Sequence, residues 1–223
     1  MSGRISFTAV YETLLAEYGP QGWWPADSPF EVMVGAVLIQ RTQWPNAARV
    51  VDALRDVGLL TRDALAVVKP EALHDLVRGA GFYRQKSSRL IDIAKWFLRQ
   101  GGQRGIARLS DGALRDALLG LNGIGEETAD AVMLYAFKRP RFVVDAYALR
   151  LFSRLGLLEE KMPRATLQHT VECALSDEVD LLNEYHALIV AHAKARCRAR
   201  PRCRQCCLSQ WCEFDLDDGA DSD

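Results

Sequence analysis

Leu121-Asn122-Gly123-Ile124-Gly125-Glu126-Glu127-Thr128-Ala129 is the stretch on which the reading of this chain turns. It follows an amphipathic segment at 110–119 that ends at Gly120, and it leads straight into another at 126–137. Glycine lacks a Cβ, so a G-x-G turn can adopt positive φ and lets a second chain come close. The first amides of the following helix have no intrahelical partners, and the helix dipole adds a partial positive charge there. Together these make a natural seat for a phosphate. The same residues also suit a plain helical hairpin closed by a glycine cap.

Working outward, apolar residues recur at helical spacing in segments 5–17, 30–41, 46–57, 70–78, 85–99, 110–119, 126–137, 145–155, 163–175 and 180–195. Each is bounded by Gly, Pro or a hydroxyl residue that starts or stops a helix. Segment 30–41 follows Ser28-Pro29 and is apolar on nearly every side, so it belongs in a core. Phe142-Val143-Val144 is too short to count as a strand. The expected fold class is all-α. With 223 residues, 49% of them apolar, the chain can bury one large core or two small ones. No apolar run approaches the roughly 18 residues that span a bilayer. The start, MSGRISFTAVYETLLAEYGP, lacks the layout of a signal peptide. A cytoplasmic protein is expected, associated with the nucleoid if the source is bacterial.

The net charge of −1 does not announce a nucleic-acid binder, but its distribution is uneven. Lys194, Arg196, Arg198, Arg200, Arg202 and Arg204 run without an intervening acid, and Glu213, Asp215, Asp217, Asp218, Asp221 and Asp223 follow directly. The basic run can contact phosphates or stand as a solvated loop. The acidic end, about 214–223, is expected to be a disordered tail. Within the basic run, Cys197, Cys203, Cys206 and Cys212 fall as C-x5-C-x2-C-x5-C. Four thiolates so close suit one centre, either zinc or an iron–sulfur cluster. A disulfide framework is the competing reading, and it expects a secreted chain. Cys207 and Cys173 are expected to be spare thiols. Beyond the G-x-G turn, Val143-Val144-Asp145-Ala146-Tyr147 opens another helix, where Asp145 can serve as its cap, as a catalytic carboxylate, or as both.

The hairpin, the later V-V-D and the four-cysteine loop resemble the endonuclease III family of helix-hairpin-helix DNA glycosylases. S-P-F-E-V-M-V-G-A-V-L at 28–38, G-F-Y-R-Q-K at 81–86 and the segment 185–214 resemble it too, in the same order. The resemblance implies two helical domains, 29–138 and 1–28 with 139–223, with double-stranded DNA bound in the cleft between them, and a monomer. It implies a four-iron four-sulfur cluster on Cys197, Cys203, Cys206 and Cys212. The first cysteine gap is five residues here against six in the family pattern, and zinc stands as the alternative. Gly123, Ile124, Gly125 and Thr128 would form the DNA-binding hairpin, and Arg198 and Arg200 would reach phosphates.

A glycosylase must turn the damaged base out of the stack, and a side chain must fill the gap. Gln40 sits where the family has its intercalating residue, and Phe82 resembles the second wedge. An exposed helix-end amide and a core anchor are their structural alternatives. Bond cleavage passes through a sugar cation, which an ionised Asp145 would stabilise while orienting or deprotonating water. Bifunctional members place a nucleophilic lysine two residues after the second hairpin glycine. Glu127 stands there and cannot form an imine, which points to a monofunctional enzyme with weak or absent lyase activity. Trp23-Trp24-Pro25 and the hairpin helix resemble the 3-methyladenine DNA glycosylase branch. Trp23, Trp24 and Tyr147 are the expected base pocket, with Trp44, Phe82 and Tyr83 nearby, and electron-rich rings favour a cationic alkylated purine. The tryptophans equally suit hydrophobic anchors. An oxidised-pyrimidine glycosylase with lyase activity and a non-catalytic DNA-binding protein are the alternatives.

Overall fold

The computed structural model describes residues 5–159 and 161–214. The acidic stretch 215–223, which the sequence reads as a disordered tail, lies outside them. Among the described residues there is no strand, and no helix is long and apolar enough to cross a membrane. The chain divides into two units. One is contiguous, Trp24–Arg139; the other joins the residues up to Trp23 with those from Pro140 onward.

The contiguous unit is built around α2 (Pro29–Leu38). The Ser28 hydroxyl accepts from the Glu31 N–H at 3.2 Å and Pro29 occupies the first turn, which fixes the start of the helix. Phe30 to Leu38 are all buried, as expected of a helix that is apolar all round. Glu31 is tolerated inside because Arg55 bonds one carboxylate oxygen at 2.5 Å and the Asp27 N–H bonds the other. Around α2 pack α3 (Trp44–Asp56), α6 (Tyr83–Arg99) and the turn Val132–Ala136. The small helices α4 (Arg62–Val67) and α5 (Pro70–Val77) lie on α6, and α7 (Gly102–Ile106) follows it. The hairpin pairs α8 (Asp111–Leu119) with α9 (Glu126–Ala131). The single helix expected over 126–137 splits, its second half forming the π-turn Val132–Ala136.

In the split unit, α1 (Phe7–Tyr18) and α10 (Ala146–Arg154) pack on the long α12 (Val179–Ala195), and α11 (Arg164–Ala174) lies on α1. Tyr185 is fully buried with Phe142 and Phe152 around it, their ring centroids 5.7 and 6.0 Å away. The extended run before Asp145 has no β partner among the described residues. A helix holds it instead. The Phe142 N–H donates to the Glu172 carboxylate at 2.9 Å and its carbonyl accepts from the Gln168 amide at 2.6 Å. Both partners sit four residues apart on one face of α11.

Candidate functional site

The hairpin turn uses its two glycines differently. Gly123 has φ 79°, the left-handed region that glycine favours. Gly125 is extended, with φ −93° and ψ 178°, so backbone freedom is not its purpose. A methyl group there would meet nothing within 4 Å, and the surface is open. Ile124 is buried and anchors the loop, while Asp130 on α9 pairs with Arg115 on α8 at 3.0 Å and ties the two helices together. Glu127 is exposed on the first turn of α9.

Gln40 is not a loose helix-end amide. Its Nε2 donates to the Gly123 carbonyl and to the Thr128 hydroxyl, both at 3.0 Å, and its Oε1 accepts from Arg89 at 2.7 Å. Arg89 crosses directly over Gly123, where an added methyl would run into its guanidinium stem. Gly123→Ala is therefore expected to cost about 1–2 kcal/mol from left-handed strain and to push Arg89 off Gln40. Urea melts of the variant check this, and an unchanged midpoint would show that the turn relaxes without cost.

Lys86 stands behind the same turn. It is fully buried, and its Nζ donates to the carbonyls of Leu38, Gln40 and Ala80, each at 2.8 Å. The first two lie at or just past the end of α2, where carbonyls run out of helical N–H partners. The third precedes the turn that carries Phe82. Burial, with a smaller contribution from the Arg89 cation, draws the Lys86 pKa down to about 8. Phe82 has φ 48° and is 52% exposed, with Arg41 over its ring at 5.5 Å. Gln40, Phe82, Gly123 and Thr128 are thus gathered in one neighbourhood of the contiguous unit, with Lys86 and Arg89 binding them together.

The aromatics fall in both units, and each has its own neighbours. Trp24 lies against Gly35 of α2, where a Cβ would come within 2.9 Å of the indole. It makes ring contacts with Trp44 at 5.2 Å and Tyr135 at 5.5 Å. Tyr83 is held between His74, at 5.2 Å, and Arg78, at 4.5 Å. Trp23 and Tyr147 belong to the split unit and are half-buried, with Arg150 over the Tyr147 ring at 5.3 Å.

Asp145 is the N-cap of α10. Its Oδ1 accepts from the Ala148 N–H at 2.8 Å, and its Oδ2 lies 3.4 Å from His186 Nε2. It is 7% exposed. Burial alone would raise its pKa, but the His186 bond and charge and the N–H groups of Ala148 and Tyr147 outweigh it. The carboxyl is held below its ordinary value and is ionised at neutral pH.

From the same helix, Arg150 reaches the Cys197 carbonyl at 2.8 Å, and Arg154 reaches Cys197 Sγ at 3.2 Å and the Arg198 and Ala199 carbonyls. Cys197, Cys203, Cys206 and Cys212 line one hollow with Leu151, Leu155, Leu208 and Phe214. Burial and the neighbouring cysteines push the Cys203 and Cys212 thiols up. Cys207 is half-buried and Cys173 exposed, and both are free thiols. Arg198, Arg200, Arg202 and Arg204 are exposed around the loop.

Lys86, Arg89, Arg150, Arg154 and His186 have a part in these arrangements and were not singled out from sequence. Lys86 ends the quoted G-F-Y-R-Q-K motif, and that was its one visible signal.

An all-helical chain with this hairpin, a capping aspartate on the helix that reaches a cysteine loop, and a basic surface around that loop defines a class of DNA-repair proteins. The chain belongs to the HhH-GPD superfamily of base excision DNA repair proteins, whose model matches residues 34–174. It is 40% identical over 206 residues to a Methanocaldococcus jannaschii protein that carries the name of a DNA repair glycosylase, covering 91% of this chain and 94% of that one. It is 33% identical over 187 residues to the endonuclease III of Thermotoga maritima, covering 83% of each. Among solved structures, it is similar to the H. pylori 3-methyladenine DNA glycosylase bound to 1,N6-ethenoadenine. There the TM-score is 0.72 and the identity 27%, over 84% of this chain and 95% of that one.

Proposed function

We propose that this protein is a monofunctional DNA glycosylase that flips a damaged base from double-stranded DNA and hydrolyses its glycosidic bond, with alkylated purines as substrates. The observation that carries the reading is Asp145, buried, ionised, bonded at Oδ1 by the Ala148 N–H and with His186 Nε2 3.4 Å from Oδ2, while the position of the family's lysine nucleophile holds Glu127. An anchored carboxylate stabilises a developing sugar cation without reorganising, and it can take a proton from water. Without an amine at 127 no Schiff base forms by that route, so the abasic strand is left intact. Gly123, Ile124, Gly125 and Thr128 would seat the DNA backbone, with Arg198 and Arg200 contributing phosphate contacts. Gln40 and Phe82 would fill the gap left by the flipped base, and Gln40 must first exchange its bonds to Gly123, Thr128 and Arg89. Trp23, Trp24 and Tyr147 would contact the base. The relative bound to 1,N6-ethenoadenine supports an alkylated purine. The relative named endonuclease III favours the second reading, an oxidised-pyrimidine glycosylase with lyase activity. A non-catalytic DNA-binding protein would need Asp145 only as the cap of α10, since phosphate binding alone has no use for a carboxylate facing the DNA.

The cysteine loop fits a four-iron four-sulfur cluster, which would act as a rigid scaffold for the DNA-contacting loop. Four thiol side chains surround one apolar hollow, and the Arg154 guanidinium already donates to one sulfur. Zinc, which takes four thiolates about 2.3 Å from one ion, stands as the alternative.

The test is release of free bases, read by mass spectrometry, from one DNA pool carrying methylated purines and oxidised pyrimidines, with borohydride trapping alongside. Release of a methylated purine without a trapped adduct is expected. Oxidised-pyrimidine release with an adduct formed at the rate of release would establish the second reading. Intact DNA binding with no release would favour the non-catalytic one.

A further inference from the structure

We propose that Tyr18 and His192 form a hydrogen-bond relay that aims an N–H at the Cys206 sulfur, positions that ligand and sets the reduction potential of the iron–sulfur centre. The inference rests on the cluster reading above. His192, near the end of α12, is 1% exposed, and its two ring nitrogens face different partners. Nδ1 lies 2.9 Å from the Tyr18 hydroxyl and Nε2 lies 3.8 Å from Cys206 Sγ. Tyr18 sits at the last turn of α1, its ring edge-on to the imidazole at 5.8 Å.

The arrangement fixes the direction of the bonds. A ligating thiolate only accepts, so a bond to sulfur requires a proton on Nε2. A neutral imidazole that carries it there must accept at Nδ1, and the phenol supplies the O–H that does so. A doubly protonated ring would donate from Nδ1 to the phenol oxygen and still present Nε2–H to sulfur. In both states the donor toward Cys206 is the same. An N–H on a ligand sulfur stabilises the extra negative charge of a reduced cluster, and such bonds are among the determinants of iron–sulfur potentials. Removing the donor therefore shifts the potential to more negative values. Tyr18 acts one bond further away, by selecting the tautomer.

The experiment compares the full-length protein with Tyr18→Phe and His192→Phe. Iron and sulfide content and the visible absorption of the thiolate-ligated cluster report loading, and protein-film voltammetry reports the potential. Wild-type loading in Tyr18→Phe, with a potential moved negative, is expected, and a larger shift in the same direction is expected for His192→Phe. If His192→Phe loses the cluster, Tyr18→Phe decides alone, because the phenyl ring keeps the packing and removes only the hydroxyl. A loaded Tyr18→Phe protein at the wild-type potential would overturn the relay and leave the cluster reading intact. A wild-type protein without iron would overturn both.

Discussion

Asp145→Asn is expected to slow single-turnover base release by about 10²- to 10⁴-fold, the range for loss of a positioned general base. The substitution separates two roles that share one side chain. Asparagine caps helices about as well as aspartate, so the bond from the Ala148 N–H survives. Helical content should stay and Tm should move by no more than about 4 °C, since roughly 1 kcal/mol moves it by about 2–4 °C in a chain of this size. The negative charge does not survive, and with it goes the stabilisation of the sugar cation. Single-turnover release should therefore collapse while DNA affinity holds. A release rate within a few-fold of wild type would reduce Asp145 to a cap and remove the proposed chemistry. The same pair of proteins carries a pH signature. The Asp145 pKa is lowered from 3.8 in the folded chain. Its stabilisation is then complete above 3.8 and is lost as pH falls through the lower folded value. The stability gap between wild type and Asp145→Asn should narrow below pH 3.8, and a gap that widens there would show that the carboxylate is not favoured in its ionised form.

That Asp145 stood out in the sequence while His186 did not follows from the kind of interaction each makes. A helix cap is local, and an aspartate between a β-branched pair and an apolar helix is visible in a short window. The His186 contact joins the N-cap of α10 to the middle of α12, and no spacing rule connects them. The all-helical architecture was legible for the same reason as Asp145, because 3.6-residue periodicity and capping residues are local signals. The helices that were not read, Arg62–Val67 and Gly102–Ile106, are one to two turns long and too short to show a period. The hairpin was legible as a hairpin, yet its two glycines looked equivalent until their backbone angles separated the strained position from the open one. The cysteine loop was readable because thiol spacing is itself the signal, and the helix side chains that reach it were not. Gln40 was read as a single residue able to intercalate. Its lock onto Gly123 and Thr128 joins positions more than 80 residues apart, a property of the folded unit that periodicity cannot carry.

Lys86→Met is expected to produce the largest loss of stability of any single substitution considered for this protein, about 3–5 kcal/mol, the range for removing one partner of a buried charged interaction. Two effects oppose each other. Burying an ammonium is costly, and its pKa, drawn down to about 8, shows that the cost is felt; methionine removes it at nearly the same volume. Against this, three carbonyls at 2.8 Å lose their common donor in a site that water does not reach freely. Each buried polar group left unpaired costs roughly 1–3 kcal/mol, so even partial relaxation leaves the balance on the destabilising side. The loss is a large share of the roughly 5–15 kcal/mol that holds a typical domain together. Urea melts measure it directly, and a loss below about 1 kcal/mol would mean that water or a shifted backbone replaces the lysine. The position of the three carbonyls gives the substitution a second consequence. They belong to the end of α2, to Gln40 itself and to the turn before Phe82, so the ammonium holds both proposed wedges at fixed separation. Lys86→Met at a temperature where it remains folded should therefore bind undamaged DNA nearly as well as wild type while losing base release. The stored order of those two turns, rather than phosphate contact, is what the lysine supplies.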